Sequence, residues 1–124
     1  MSVTIDDSVY ESVLNSVKKL LNIHPSETAF DLDVIVHVNS TFMTINQLGA
    51  GSAKPFTIDS AAQKWNDFLT DRDDLALIKS YVYLKVRLLF DPPSNASLYS
   101  AIEKQLGEYE WRINHQAESE TNHD

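Results

Sequence analysis

Four histidines are the side chains of this 124-residue chain best suited to bind a transition metal or to transfer protons near neutral pH. They are His24, His37, His115 and His123. None has a second histidine three or four residues away, which is the spacing of helical zinc and di-metal sites. Cysteine is absent, which removes thiolate catalysis, disulfides and cysteine-ligated zinc. The spacing therefore predicts no metal site, and His37 is expected to be a surface or half-buried residue.

Nucleophilic and phosphate-binding sites need a particular local sequence around the reactive residue. No serine lies in a G-x-S-x-G setting. Residues 49–54 (GAGSAK) hint at a phosphate loop, but they lack the G-K-[ST] ending and follow a predicted helix instead of a strand. The sequence therefore favours neither covalent catalysis nor nucleotide binding.

Pairs of carboxylates on helices could hold magnesium, as in helical nucleotide hydrolases. Glu108 and Glu110 are two residues apart and so do not share a helix face. Asp31, Asp33 and the aspartates of 71–74 lie near predicted helix starts, where acidic side chains are favoured by the helix dipole. No catalytic constellation emerges, and we expect a protein that is not an enzyme and needs no cofactor.

The charge balance bounds the possible partners. The chain has 18 acidic and 10 basic residues, a net charge of -8. Duplex DNA is bound mainly by Lys and Arg, so an acidic chain is a poor DNA binder. The N-terminus lacks the apolar core of a signal peptide, and no apolar run is long enough to span a bilayer. We expect one folded domain, made in a cytoplasm and not bound to a membrane.

Apolar spacing predicts helices along most of the chain, beginning with a helix over about 6–22. Ser8 and Glu11 fit a capping box at its start, and Asp6 or Asp7 could cap it one turn earlier. The apolar face of this helix consists of Val9, Val13, Val17, Leu20 and Leu21.

Residues 27–48 fit two patterns. Leu32, Val34 and Val36 alternate with polar residues, as in a strand. A longer apolar stripe at helical spacing runs directly into Gly49, a residue typical of helix ends. Strands of this length are rare, so the helix is favoured. The helical stripe consists of Phe30, Val34, Val38, Phe42, Ile45 and Leu48.

Residues 49–60 form a long and partly extended loop. Phe56 and Ile58 are bulky apolar residues among mostly small ones. Either they dock onto another protein or they pack back onto the chain's own core, and the sequence leaves both open. The candidate docking residues of this loop are Gly49, Ala50, Gly51, Lys54, Phe56 and Ile58.

A short third helix is expected over about 61–69, before a fourth over about 73–90. Asp59 or Ser60 would cap the third helix, and Gln63 would complete a capping box. Acidic residues directly before the fourth helix suit its positive N-terminal dipole.

The fourth helix is apolar on two sides, since one stripe contains Leu75, Ile78 and Val82 and another contains Leu77 and Tyr81. Such a helix is buried on more than one side. Either the other helices of the chain wrap it or a neighbouring subunit covers one side, and the sequence leaves both open. The candidate subunit contacts are Leu77, Tyr81, Leu84, Leu88 and Trp111.

A sharp break follows the fourth helix at Asp91, Pro92 and Pro93. Proline removes a backbone donor, clashes with the previous turn and pushes the preceding residue out of the helical region. A fifth helix is expected after this break and should reach about residue 115.

The fifth helix would be capped by Ser94 or Asn95. Gly107 lies inside it at a cost of about 1 kcal/mol relative to Ala, which close packing of another element would explain. Residues 1–117 are expected to form a single all-α domain, a compact bundle of four to five helices. Residues 118–124 would be a flexible acidic tail.

Three segments carry a resemblance to a known family. They are 81–93 (YVYLKVRLLFDPP), 108–114 (EYEWRIN) and the helix from 31 to 49. Together they resemble the small head–tail connector (adaptor) proteins of long-tailed bacteriophages. The resemblance covers about 6–117 and depends on helix order and on these strings, without a catalytic motif.

The resemblance implies a homo-oligomeric ring of this chain, bound to the portal protein at the portal vertex of a filled capsid. The ring would extend the DNA channel and join the capsid to a stopper or tail-completion protein. DNA would pass without specific binding, which suits a net negative charge. The protein would be made in the host cytoplasm and end in the neck of the virion, without enzymatic activity or a cofactor.

Three other functions compete with this interpretation. A stopper or tail-completion protein of the same virion would differ from an adaptor in position only. An acidic helical inhibitor that mimics DNA would need acidic side chains dense on one surface. A helical nucleotide pyrophosphohydrolase would need clustered acidic side chains on two facing helices and dependence on magnesium.

Overall fold

The computed structural model describes residues 7–50, 54–68 and 75–121, and within these ranges the chain is helical without a strand. A 3-10 helix at Asp7–Glu11 is followed by five α-helices in the described ranges. The all-α bundle predicted from the sequence is therefore confirmed. The helices are α1 (Val13–Leu20), α2 (Asp31–Gln47), α3 (Trp65–Phe68), α4 (Leu75–Phe90) and α5 (Ala96–Thr121).

Helix α1 begins later than predicted. Its cap is Ser12, whose hydroxyl accepts a hydrogen bond from the backbone N–H of Asn15 at 3.2 Å. The preceding residues Asp7–Glu11 form the tighter 3-10 helix, so the box that begins at Ser8 does not start α1. The prediction was wrong because several neighbouring residues have side chains that can cap, and Asp6 lies outside the described residues.

Helix α2 resolves the segment that fitted two patterns. Residues Asp31–Gln47 are helical, as the longer stripe predicted. Gly49 follows with φ of +98°, the left-handed conformation that glycine adopts easily at a helix end. A Cβ there would also lie 3.1 Å from the Cβ of Ala117 on α5. Within the stripe, Val34, Val38, Phe42 and Ile45 are buried, Leu48 is half-buried and Phe30 is exposed.

Helix α4 is the centre of the bundle and packs against α1, α2 and α5. Ile78, Tyr81, Val82 and Val86 are all fully buried, so the chain's own helices wrap α4. Tyr81 and Phe90 are nine residues apart, about two and a half turns, and so point to opposite sides of α4. Tyr81 contacts α5, while Phe90 contacts the first half of α2 and the residue before it. Helix α4 therefore contacts α5 on one side and the start of α2 on the other, while the end of α2 meets α5 where the Asn114 amide donates to the carbonyl of Leu48 at 3.1 Å.

Helix α3, Trp65–Phe68, begins later than predicted. The side-chain oxygen of Gln63 accepts hydrogen bonds from the N–H groups of Asp59 and Ser60, at 3.0 and 3.2 Å, but in a turn that is not helical. The carbonyl of Gln63 accepts a bond from the N–H of Val13 at 3.0 Å. This contact holds the segment extended against the start of α1 and delays the helix. Its predicted end lies outside the described residues.

The break between α4 and α5 is confirmed. Helix α4 ends at Phe90, directly before the Asp-Pro-Pro sequence. The side chain of Asn95 caps α5 by accepting a hydrogen bond from the N–H of Leu98 at 2.9 Å. The predicted start of α4 at about 73 lies outside the described residues.

Helix α5 is longer than predicted and reaches Thr121. Ala117 is buried, so the core extends further along α5 than the expected end at 115. The helical backbone of 118–121 differs from the flexible tail predicted there, whereas 122–124 lie outside the described residues.

Candidate interaction surfaces

The loop predicted to dock onto another protein is bound to the chain's own helix α2. The side-chain amide of Asn39 donates to the carbonyl of Ile58 at 2.9 Å, and its oxygen accepts from the N–H of Ile58 at 2.8 Å. The Ile58 side chain is 3% exposed, so it packs back onto the chain's own core. In the rest of the loop, Ala50 is buried and Lys54 is exposed, while Gly51 lies outside the described residues.

Phe56 belongs to an aromatic cluster in the same core. Its ring centroid lies 5.1 Å from that of Phe42 and 5.3 Å from that of Phe68. The Phe42 ring also lies 6.0 Å from Trp65, whose indole N–H donates to the hydroxyl of Ser16 at 2.9 Å. Aromatic pairs of this kind contribute about 1 kcal/mol each beyond the area they bury. Phe56 thus helps to hold the loop, α2, α3 and α1 together.

The five residues predicted to pack against a neighbouring subunit occupy different environments. Leu77, Leu84 and Leu88 are half-buried against the core of their own chain. Tyr81 is fully buried within the chain. Trp111, in contrast, is 66% exposed. Of these five side chains, Trp111 therefore offers the largest surface to another molecule.

Tyr81 joins α4 to α5. Its hydroxyl donates a hydrogen bond to the carboxylate of Glu110 at 2.7 Å. Burial raises the pKa of Tyr81 well above its usual 10.0, and the bond to Glu110 and the charge of Glu110 raise it further. Burial also raises the pKa of Tyr83, although a hydrogen bond with Ser16 acts in the opposite direction. At neutral pH Tyr81 is therefore a hydrogen-bond donor to Glu110.

Lys18 is a buried cation that the sequence did not reveal. It is 1% exposed, and its Nζ lies 2.7 Å from the carboxylate of Asp31. The same ammonium donates to the carbonyls of Pro25 at 3.1 Å and Glu27 at 2.6 Å. Three N–H donors thus meet three oxygens. In the sequence Lys18 stands beside exposed Lys19, and no local pattern separates a buried lysine from a solvated one.

Helix α2 exposes apolar side chains on the face opposite the core. Leu32, Val36 and Met43 share this face at helical spacing and are 73%, 56% and 54% exposed. We call these three residues the α2 outer stripe. Between Asp33 and Gln47 the helix contains no Asp, Glu, Lys or Arg. Leu32 and Val36 belong to the alternation that resembled a strand, but Val34 of the same alternation is buried, so the alternation did not identify this face.

Helix α5 exposes a tryptophan opposite its buried residues. Trp111 lies two residues before the buried Ile113, about 200° around the helix. Its ring stacks on that of His115, with centroids 5.0 Å apart and 4° between the planes. One turn earlier, a Cβ on Gly107 would have no described atom within 4 Å, so the predicted close packing is absent from the described chain. We call Gly107, Trp111 and His115 the α5 outer face.

A third exposed apolar group lies at the end of the bundle where α4 leads into α5. The Phe30 ring packs edge-on against Phe90, with centroids 5.7 Å apart. Leu20 lines a small cleft together with Arg87 and Asp91. The end of α1, the start of α2 and the end of α4 are therefore neighbours. The exposed side chains of this apolar end are Leu20, Phe30, Leu89, Leu98 and Tyr99.

The described residues offer contact surfaces more clearly than a reactive centre. In the ranges that the structure describes, no three His, Asp or Glu side chains come together to hold a metal ion. No helix in those ranges is both long and apolar enough to cross a membrane. The α2 outer stripe, the α5 outer face and the apolar end together contain all large apolar side chains that are exposed in the described chain.

Comparison with known proteins assigns a family to this helical bundle. A family model described as phage connector protein matches residues 13–120, which is most of the chain. The chain belongs to the phage connector protein family. No curated protein and no solved structure matched it.

Membership in the phage connector family gives the chain a general role. It is a head–tail connector, a component of the virion that contacts other head or tail proteins. Connector families are typically structural and not enzymatic. The resemblance carried by 31–49, 81–93 and 108–114 is thereby confirmed.

Proposed function

We propose that this connector protein forms a ring of identical subunits on the portal protein, at the vertex of the phage head. The ring extends the channel through which DNA passes and carries the stopper or tail-completion protein on its other side. The family match over residues 13–120 is the observation that carries this proposal. The protein acts by packing against other proteins, without catalysis and without a cofactor.

The apolar end supports a contact with a second kind of protein. Its five side chains belong to or flank the ends of four different helices. An exposed apolar patch assembled from several elements is typical of a protein–protein contact. We assign the portal contact to this end and not to the loop, because Phe56 and Ile58 of the loop pack within their own chain.

The charge of the chain supports a channel that DNA passes without binding. The net charge is -8, and acidic side chains such as Asp33, Glu103 and Glu108 are exposed. Like charge removes the counterion-release term that dominates DNA affinity. A ring with this surface lets a DNA strand slide without holding it.

The test is to mix the purified protein with DNA-filled capsids that carry portals but lack the connector. Wild-type protein should co-sediment with the particles, and images should show a ring at the portal vertex. Leu98→Glu, which places a charge on the apolar end, should weaken this binding while the circular dichroism spectrum stays unchanged. Glu103→Gln is the control, because it changes an exposed residue near the same end of α5 without adding a charge.

Protein that has no affinity for portal-bearing particles would overturn the proposal. Particles with the protein seated as a plug that closes the channel would assign it to the stopper position instead. Wild-type binding by Leu98→Glu would remove the apolar end from the portal contact.

A further inference from the structure

We propose that the α2 outer stripe of one copy packs against the α5 outer face of the next copy. This inference rests on the proposed function, because it names the contact by which the ring subunits join. The two surfaces differ, so the contact is heterologous, the type that generates rings when its rotation closes. The stripe consists of Leu32, Val36 and Met43, and the face consists of Gly107, Trp111 and His115.

The positions of the two surfaces suit a head-to-tail contact. The two surfaces belong to different helices, and each surface points away from the buried face of its own helix. One copy can therefore use the stripe toward one neighbour and the α5 outer face toward the other. A pair joined by identical patches would leave the second surface of each copy uncovered.

Charge favours a second copy of this chain as the occupant. Two molecules with a net charge of -8 repel each other unless they meet where the charge is locally balanced. Val36 and Met43 lie on a stretch of α2 without a charged side chain, whereas Leu32 stands between Asp31 and Asp33. Around Trp111, Lys104 and Arg112 offset Glu108 and Glu110, while Glu103 and Glu118 lie about two turns away. The contact thus centres on the apolar side chains of Val36, Met43 and Trp111, and the cores of protein interfaces are likewise depleted of charged residues.

The two surfaces are also of similar length. The stripe spans 12 residues from Leu32 to Met43, a rise of about 16 Å, and the α5 outer face spans nine from Gly107 to His115, a rise of about 12 Å. The open space at Gly107 adjoins Trp111, which is one turn later on the same face. A glycine inside a helix is unfavourable, and no described contact within the chain offsets this cost. Close approach of a side chain from the neighbouring stripe accounts for it.

Self-association of the purified protein tests the contact. Val36→Glu and Trp111→Glu change exposed side chains, so both proteins should fold as wild type does in circular dichroism and thermal melts. Each should weaken self-association in analytical ultracentrifugation by roughly two orders of magnitude, because a charge enters an apolar contact. Leu20→Glu is the matched control, since Leu20 is 53% exposed but lies on the apolar end, and it should associate as wild type.

A mixture of the two variants tests the head-to-tail arrangement directly. Val36→Glu retains an intact α5 outer face, and Trp111→Glu retains an intact stripe. Each variant alone should be monomeric, whereas the equimolar mixture should form dimers that grow no further. Wild-type association by either folded variant, a monomeric mixture, or a wild-type protein that stays monomeric at millimolar concentration overturns this contact.

Different results would refute the proposed function and the contact between subunits. Leu98→Glu should lose particle binding while retaining self-association, and Val36→Glu should lose self-association in the absence of particles. Particle binding by wild-type protein with unaltered self-association of Val36→Glu would refute the contact alone. Normal self-association without any affinity for portal-bearing particles would refute the proposed function alone.

Discussion

The loop at 54–60 and the outer side of α2 both contain large apolar side chains, but the molecule uses them in opposite ways. In the loop, Ile58 is 3% exposed and is held by two hydrogen bonds to Asn39. On the outer side of α2, Val36 is 56% exposed and is not part of the apolar core of the described chain. Helix α2 thus holds the loop through Asn39 and Phe42, while the neighbouring side chains of the stripe remain exposed.

The difference shows that irregular structure is not by itself a sign of a binding surface. The loop appeared suited to docking because Phe56 and Ile58 stand among small residues, yet both pack within the chain. The regular helix α2, in contrast, leaves Leu32, Val36 and Met43 in solvent. For a protein that acts by assembly, an exposed apolar surface indicates a binding site better than a segment without secondary structure does.

The largest expected effect compares two shortened β-branched residues. Ile58→Ala should reduce the free energy of unfolding by about 3 kcal/mol, because a buried side chain is lost and a cavity remains. Val36→Ala should change it by less than about 0.5 kcal/mol, because the side chain is exposed. Urea unfolding followed by circular dichroism measures both. Equal losses in the free energy of unfolding would mean that Ile58 and Val36 are buried to the same extent.

A second comparison concerns Tyr81, which the sequence placed among outward contacts and the structure places inside. Tyr81→Phe should reduce stability by about 2 kcal/mol at neutral pH, because the bond to the charged Glu110 is lost. Self-association should not change. If Tyr81→Phe kept the wild-type melting temperature but lost self-association, Tyr81 would act in a contact between subunits and not inside the chain.

The same residue gives stability a dependence on alkaline pH. The pKa of Tyr81 is raised in the folded chain, so above its usual 10.0 the unfolded state releases a proton that the folded state retains. The stabilising effect is therefore complete below about pH 10 and is lost as the pH rises further. Tyr81→Phe should flatten this decline in melts above pH 9, and the part that remains is expected from Tyr83, whose pKa is also raised.

The smallest expected effect is that of Gly107→Ala, which should raise the stability of the chain but weaken its self-association. Gly107→Ala should stabilise the isolated chain by about 1 kcal/mol, because alanine suits a helix interior and the new Cβ meets open space. Self-association should weaken, because the same Cβ occupies the site proposed for the neighbouring stripe. Thermal melts and sedimentation of one preparation measure the two together. Unchanged self-association would contradict the proposal that a contact between subunits offsets the unfavourable free energy of Gly107 in the helix.

The parts of the fold that could be predicted depend on local chemistry. The proline pair ends α4, Asn95 caps α5, and the long apolar stripe makes α2 a helix. Each of these features is complete within a few residues of sequence. The two-sided apolar pattern of α4 also indicated burial correctly, although it left the identity of the cover open.

The remaining features depend on contacts between distant residues. Tyr81 and Leu77 share one stripe of α4, but only the position of Glu110 on α5 decides that Tyr81 is buried with a partner. The late start of α3 depends on the bond between Gln63 and Val13, fifty residues apart. Among the site residues, Trp111 was found by its type, whereas the α2 outer stripe needed the orientation of α2 relative to the core.

Lys18 has a consequence for the connection between α1 and α2. Its ammonium is surrounded by two carbonyl oxygens and one carboxylate oxygen from the segment that leads into α2. The arrangement works as a chelate, in which a side chain takes the place that a bound cation has in many loops of similar length. The segment needs no secondary structure of its own, because one residue of the preceding helix organises its oxygens. The direction in which α2 leaves this turn, and with it the direction of the outer stripe, is therefore set from within α1.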